Sequence, residues 1–323
     1  MTSSLRKFGW FAGCMTLLAL PWAVPMGAQQ AAAPAPTTLA QRIVHPQPNG
    51  YGPGRGSVHQ GAGTMGFGTL LGRGALTPNF AFMHRGEIPV GSGIGHHFHL
   101  GADEMFVILN GEAQFTINGR TAVVKGPVGV VCRAGNSHAI YNSSNEVLQW
   151  INFQVVADPA LAASIDLGDD RVGATLDRVP TFITTRLDRA AFAGPGRGGR
   201  AGAPAPAAPA EVQRRRAGQP AIFGSSWAYV DHILIQPGAS TAPMTHEAVA
   251  EAYYVMAGSG SVTVGTETAP VGKWDTIPVR LNDTSSFKNT GTEPLELLVY
   301  GVAKDMESKI ALATSGRGGR GGQ

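Results

Sequence analysis

Cysteine is nearly missing from this chain: its 323 residues hold two, Cys14 and Cys132. Cys14 lies in an N-terminal apolar segment, so once that segment is cut away Cys132 is alone and no internal disulfide can form. The fold must then be held by its core, even in an oxidising compartment. Charge is also sparse, at 15% of residues, and helix-period apolar stretches are scarce beyond the N-terminus. With 44 glycines and 22 prolines, this composition suits a turn-rich, all-β protein with flexible additions. The length leaves room for two domains of ordinary size.

A basic surface is missing as well. The net charge of +3 is carried by peripheral segments: +2 at Arg6 and Lys7, +4 over 193–220 and +2 at Arg317 and Arg320. Subtracting these eight charges leaves about −5 on the remainder, so nothing favours nucleic-acid binding. The Arg-Gly-Gly runs at 197–199 and 317–322 read as a solvated linker and tail. At the N-terminus, Arg6 and Lys7 precede an apolar run from Phe8 to about Val24 and the small residues Gly27 and Ala28. This is the grammar of a secretory signal over residues 1–28, with the mature chain beginning near Gln29 in the periplasm or outside the cell. Pro21 and the shortness of the run argue against a stable membrane anchor.

What the chain does have is a cluster of ligand-type residues. Gly91 is followed by His97, His99, Glu104 and Gly111, and after one more hairpin by His138 and Asn142. Strand residues alternate faces, so His97 and His99 point to one side while Phe98 and His96 point to the other. Glu104 and His138 belong to later segments that the fold must bring in. Three imidazoles and one carboxylate, with no thiolate, suit one divalent transition metal per chain: Fe, Mn, Cu or Ni.

The chain also repeats itself. An offset of 147 aligns Gly91 with Gly238, His99 with His246, Glu104 with Glu251, Gly111 with Gly258, Arg133 with Arg280 and Asn142 with Asn289, without a gap. Met105–Leu109 and Ala113–Ile117 read as strands ending at Asn110-Gly111 and Asn118-Gly119, and Tyr253–Met256 and Ser261–Val264 do so in the second copy. Asn-Gly favours a two-residue hairpin because both central residues need positive φ. Many short strands with regular turns predict a sandwich or jelly roll.

The spacing Gly-x5-His-x-His-x4-Glu-x6-Gly, then Gly-x2-His-x3-Asn, resembles the two motifs of the cupin superfamily, and its duplication resembles a bicupin. That resemblance implies an all-β chain of two double-stranded β-helix (jelly-roll) barrels. The expected order is a signal peptide (1–28), an Ala/Pro/Gly-rich arm (29–78), a metal-binding domain (79–158) and a connecting segment with a short helix and a strand near Phe182–Leu187 (159–192). A linker without fixed structure (193–220), a second domain (221–306) and a Gly/Arg tail (307–323) complete it.

The two sites are unequal. Met244 stands where His97 would align and Ser285 where His138 would, leaving His246 and Glu251 of a degenerate second set. Asp283 could replace a ligand only through a loop rearrangement. The second copy therefore reads as structural, completing the pair and offering a surface for a homodimer. In the first copy, Glu104 is both a ligand and the candidate catalytic base. Pocket candidates are His84 on the preceding strand, Phe106 on the face of Glu104, and Ile140 and Asn142 on the face of His138. Arg133 is a further candidate: it is either a residue shared by both copies since duplication or an anchor for a substrate carboxylate. Three functions stay open: a dioxygenase-type oxidoreductase acting on a small hydroxylated molecule, a sugar or uronate isomerase or lyase, and a non-catalytic module that binds a small ligand.

Overall fold

A computed structural model describes residues 38–46, 51, 56–192 and 210–315. The expected signal peptide, the Ala/Pro-rich start of the arm, residues 193–209 of the expected linker and the Gly/Arg repeats after 315 lie outside the described residues.

The first domain runs through β1 (Gly66–Leu71), β2 (Phe80–Ile88), β3 (Gly93–His99), β4 (Ala102–Ile108), β5 (Glu112–Ile117), β6 (Arg120–Lys125), β7 (Val128–Cys132), β8 (Asn136–Tyr141) and β9 (Leu148–Val156). The connecting segment adds β10 (Ser164–Asp169), β11 (Leu176–Asp177) and β12 (Thr184–Arg186). These strands form two six-stranded sheets, ordered β1-β2-β9-β4-β7-β12 and β10-β3-β8-β5-β6-β11. The second domain uses β13 (Val212–Gly218), β14 (Trp227–Ile235), β15 (Met244–Thr245), β16 (Val249–Ala257), β17 (Ser259–Val264), β18 (Glu267–Gly272), β19 (Thr276–Val279), β20 (Thr284–Asn289) and β21 (Leu295–Ala303). Its sheets are β13-β14-β21-β16-β19 and β15-β20-β17-β18. The 147-residue offset carries β2, β5, β6 and β9 onto β14, β17, β18 and β21 end for end. Asn118 and Gly119 turn the β5–β6 hairpin at φ 48° and 76°, as the hairpin rule requires. At Gly111 alone of the other pair is φ positive, while the Asn110 side chain bonds Glu146 and the Val147 carbonyl.

Three expectations need correction. Residues 212–218 of the expected linker form β13, the repeat counterpart of β1, paired antiparallel with β14. Arginine and glycine read as solvated, but Arg214 and Arg216 share one face of the strand and both bond buried Asp231. The tail begins later than 307, because Met306–Ser315 is a helix, and its buried Lys309 donates to the carbonyls of Phe223 (2.7 Å) and Ser225 (2.6 Å). The connecting segment carries its expected strand at β12 and, in place of a short α-helix, two 3-10 turns, Pro159–Leu161 and Arg189–Phe192, but β10 also zips onto β3.

Alternation on β9 organises the centre of the molecule. Ile151, Phe153 and Val155 face the second domain and join Trp227, Tyr254 and Tyr300 in one core. Phe153 stacks on Tyr300 at 4.4 Å, and Asn79 donates to Ser226 at 3.4 Å. In both pairs a residue meets its own repeat counterpart, so the copies face each other across a local pseudo-twofold axis, as protomers do in an isologous dimer. The opposite face of β9, with Trp150, Asn152 and Gln154, turns into the first domain.

Candidate metal centre

β3 supplies His97 and His99 from one face, β4 supplies Glu104 and β8 supplies His138, which is the direct cross-strand partner of His97. All four are buried, and their ligand atoms lie within 4.8 Å of one another. His99 Nε2 is the hub: it lies 3.1 Å from His97 Nε2, 3.0 Å from His138 Nε2 and 3.0 Å from Glu104 Oε2. Glu104 Oε2 also approaches His138 Nε2 at 2.8 Å, yet this buried oxygen has no hydrogen-bond partner. His97 donates from Nδ1 to the Gly95 carbonyl (2.8 Å), which leaves its Nε2 as a bare lone pair aimed at the others.

Acceptors that converge this closely suit a shared cation. Ligands about 2.0–2.1 Å from an ion stand about 2.9–3.0 Å apart at right angles and about 3.3–3.4 Å apart at tetrahedral angles. The four separations of 2.8–3.1 Å are short enough for these groups to share one ion. Electrostatics agree. Burial pushes His97 down to about 2, helped by His138 and His59 and opposed by Glu104. Burial also holds His138 below its ordinary value. For His99, burial is outweighed by Glu104, which raises it. Burial works against ionised Glu104, but His99 and His138 prevail and hold it well below the carboxylate range. The site thus presents an anionic carboxylate among imidazoles, the state that metal binding needs. Asn152, from β9, fixes Glu104 by donating to Oε1 at 2.8 Å.

A cavity of about 250 Å³ adjoins His97, His99 and Glu104. His84 and Phe106 line it as expected; His84 stacks on Phe82 at 4.1 Å, and the Phe106 ring lies 5.4 Å from that of His138. Three other candidates fall elsewhere. Ile140 is fully buried in the core of the first domain, away from the cavity wall. Asn142 donates to the carbonyls of Ile88 (2.9 Å) and Glu146 (2.8 Å), closing a turn. Asn289 does the same with Ile235 and Glu293, so this asparagine is a structural mark of the repeat. Arg133 follows Cys132, the cross-strand partner of Glu104, so alternation sends it to the outer face beside Asp103 and Gly224. It cannot anchor a substrate in the cavity.

The remaining walls come from residues outside the ligand motif. Phe67, Phe82, Trp150, Asn152 and Gln154 come from β1, β2 and β9, and the arm adds Val58, His59 and Met65. Asn152 and Gln154, two apart in a strand whose Ile151, Phe153 and Val155 are apolar, are the readable signal for β9. His59 had none. Its ring stacks on His97 at 3.7 Å, and its Nδ1 lies 2.6 Å from Asp166 of β10. This approach needs glycine at 95, where a Cβ would sit 1.9 Å from the His59 carbonyl oxygen.

In the second domain, Glu251 is fully buried and committed: it accepts from Tyr229 (2.6 Å) and Tyr253 (2.5 Å), and the Arg214 guanidinium lies at 3.4 Å. Arg214 aligns with Phe67 and supplies the positive charge that a metal would bring to the first site. His246 stands 3.6 Å from Glu251, Met244 is exposed beside its β20 partner Ser285, and Asp283 pairs with Arg42 at 3.1 Å. Among the described residues, His97, His99, Glu104 and His138 form the one metal-type group.

A duplicated jelly roll with three histidines and a glutamate converging in one copy defines a class, and comparison with known proteins agrees with it. A cupin domain model matches residues 84–154 and 231–301. The chain is 34% identical over 97 residues to an oxalate-binding protein of Thermotoga maritima, spanning 29% of this chain and 78% of that relative. Its fold is similar to salicylate 1,2-dioxygenase from Pseudaminobacter salicylatoxidans (TM-score 0.55, 16% identity, 74% of each chain). It is also similar to oxalate decarboxylase from Bacillus subtilis (TM-score 0.53, 16% identity, 79% of this chain and 75% of that one). The chain belongs to the cupin superfamily, as a bicupin.

Proposed function

We propose that this bicupin is a metal-dependent oxidoreductase of dioxygenase type that acts on a small hydroxylated aromatic molecule. One observation carries the reading: the cavity beside the ligands is walled by Phe67, Phe82, Phe106 and Trp150 and, among the described residues, includes no arginine or lysine. A divalent ion with one carboxylate leaves a single positive charge, which a singly deprotonated hydroxyl would balance. A dianion would leave excess negative charge in a wall without a cation, at a high cost in low dielectric. Six-coordinate Fe, Mn, Cu or Ni held by His97, His99, Glu104 and His138 would supply adjacent positions for substrate and dioxygen. The aromatic walls would hold the ring by stacking and edge contacts. His59, with Nδ1 engaged by Asp166, offers Nε2 to take a proton from the substrate hydroxyl. Glu104, held low and pinned by Asn152, is a better anionic ligand than proton acceptor.

The oxalate-binding relative favours a second reading, non-catalytic capture of a small carboxylate at the same centre. Both readings take the protein to be exported, on the strength of the signal over residues 1–28, which N-terminal sequencing of exported protein would check. Oxygen consumption by metal-loaded protein decides between them, with salicylate, gentisate, other phenolics, oxalate and a uronate as panel. Oxygen uptake matched to loss of a phenolic supports the oxidoreductase. Turnover of the uronate without oxygen, or oxalate binding with no turnover of any compound, overturns it.

A further inference from the structure

A second cavity, of about 360 Å³, lies between the two domains, lined by Arg85, Leu109, Pro127 and Gln149 on one side and Tyr254, Met256, Trp274 and Glu296 on the other. Arg85 leaves β2 on the face opposite His84, so it points away from the metal centre and into the interdomain space. It is 2% exposed. Its guanidinium donates to neutral oxygens only: Nε to the Tyr254 hydroxyl (3.0 Å), one terminal nitrogen to the Tyr51 hydroxyl and the other to Gln149 Oε1 (2.8 Å). Among the described residues, three of its five N–H groups are thereby used and one on each terminal nitrogen remains. All 22 acidic residues of the chain lie among the described ones, and none bonds this guanidinium. Glu87, two residues along β2, accepts from the Gln149 amide (2.7 Å) instead.

The repeat shows what is missing. The offset of 147 carries Arg85 to His232 and Gln149 to Glu296, and there the pair is complete, with His232 Nε2 2.7 Å from Glu296. In the first copy an amide replaces the carboxylate, and the buried cation keeps its charge. The other charges on the cavity cancel or add to it. Glu296 is matched by Arg189 (2.8 Å) and Asp188 by Arg186 (2.9 Å), while Lys273 has no carboxylate partner among the described residues. Trp274 lays its ring 4.4 Å from the Arg85 guanidinium from a backbone φ of 81°, a left-handed conformation that is costly for a bulky residue. A buried unpaired charge is strongly unfavourable unless something compensates it.

We propose that this interdomain cavity is a binding site for a small monocarboxylate with an apolar body, separate from the metal centre. The two remaining N–H groups of Arg85 receive the carboxylate, Lys273 adds charge at the rim, and Leu109, Pro127, Met256 and Trp274 hold the apolar part. Benzoate is the probe, titrated calorimetrically into the full chain beside inorganic phosphate. Benzoate should bind wild type and His99→Ala equally, because the site does not use the metal ligands. Arg85→Gln should weaken it roughly ten- to hundred-fold, the range spanned by a hydrogen bond between ionised groups. Met256→Trp, which fills the cavity and leaves Arg85 intact, should abolish binding and covers the case in which Arg85→Gln does not fold. Absence of benzoate binding, binding unchanged in Met256→Trp or in folded Arg85→Gln, loss in His99→Ala, or preference for phosphate would each overturn the proposal.

Discussion

Replacing His99 with alanine should empty the chain of metal, whereas replacing His246, its repeat counterpart, should not. His99 Nε2 is within 3.1 Å of each of the other three ligand atoms, so its loss opens the middle of the set and leaves two imidazoles and one carboxylate. An ion present at about a thousand times its dissociation constant stabilises the folded state by about 4 kcal/mol. At an unfolding entropy of about 2.1 cal/mol/K per residue each kcal/mol moves the melting temperature of a chain this long by roughly 1.5 °C, so chelating wild type should lower Tm by roughly 6 °C. His99→Ala should melt near the chelated wild type and show no response to chelator, because packed strands hold the domain without the ion. His246 touches Glu251 only at 3.6 Å, and the tyrosines at 229 and 253 satisfy that carboxylate, so His246→Ala should keep both metal and chelator response. Metal per chain by elemental analysis, together with calorimetric Tm, is the assay. Two metals per wild-type chain, or equal losses in the two variants, would refute the one-site reasoning.

Asn152→Leu removes the 2.8 Å donor to Glu104 Oε1 without touching a ligand, and chelator competition should show metal affinity lower by about 10–100-fold; unchanged affinity would mean that Glu104 is oriented by its imidazoles alone. Arg214→Met withdraws a cation from Asp231 and Glu251, both nearly inaccessible. Because Arg216 still bonds Asp231 and the Arg214 side chain is 30% exposed, denaturant unfolding should show a loss of about 2 kcal/mol, below the roughly 3–5 kcal/mol of a fully buried pair; no loss would show that the tyrosines suffice. Burial, with Glu104 and Asp103 nearby, raises the Cys132 thiol well above its ordinary value. It should resist thiol reagents at neutral pH in the native protein and react after denaturation, and native-state labelling would contradict that burial.

Much of this molecule is written in short-range order. His97 and His99 share a face because strands alternate, and Gly111, Asn118-Gly119 and the 147-residue offset place hairpins and domains without reference to anything distant. The inequality of the two sites was equally legible, since Met244 and Ser285 are visible substitutions of ligand types. Alternation sorts residues into two faces but does not say what each face meets. Alternation therefore gives Ile140 and Asn142 a face but not their neighbours, and it is silent on the barrel mouth from which Arg133 turns away. The arginines of β13 look solvated until Asp231 and Glu251, whose burial depends on strands 14 and 16, give them partners. His59 reaches His97 only because an arm crosses β3 at Gly95, and Arg85 becomes an unpaired cation only when the second domain closes over it. Those positions depend on contacts between segments tens to hundreds of residues apart, whose energies come from packing and burial that no local pattern encodes.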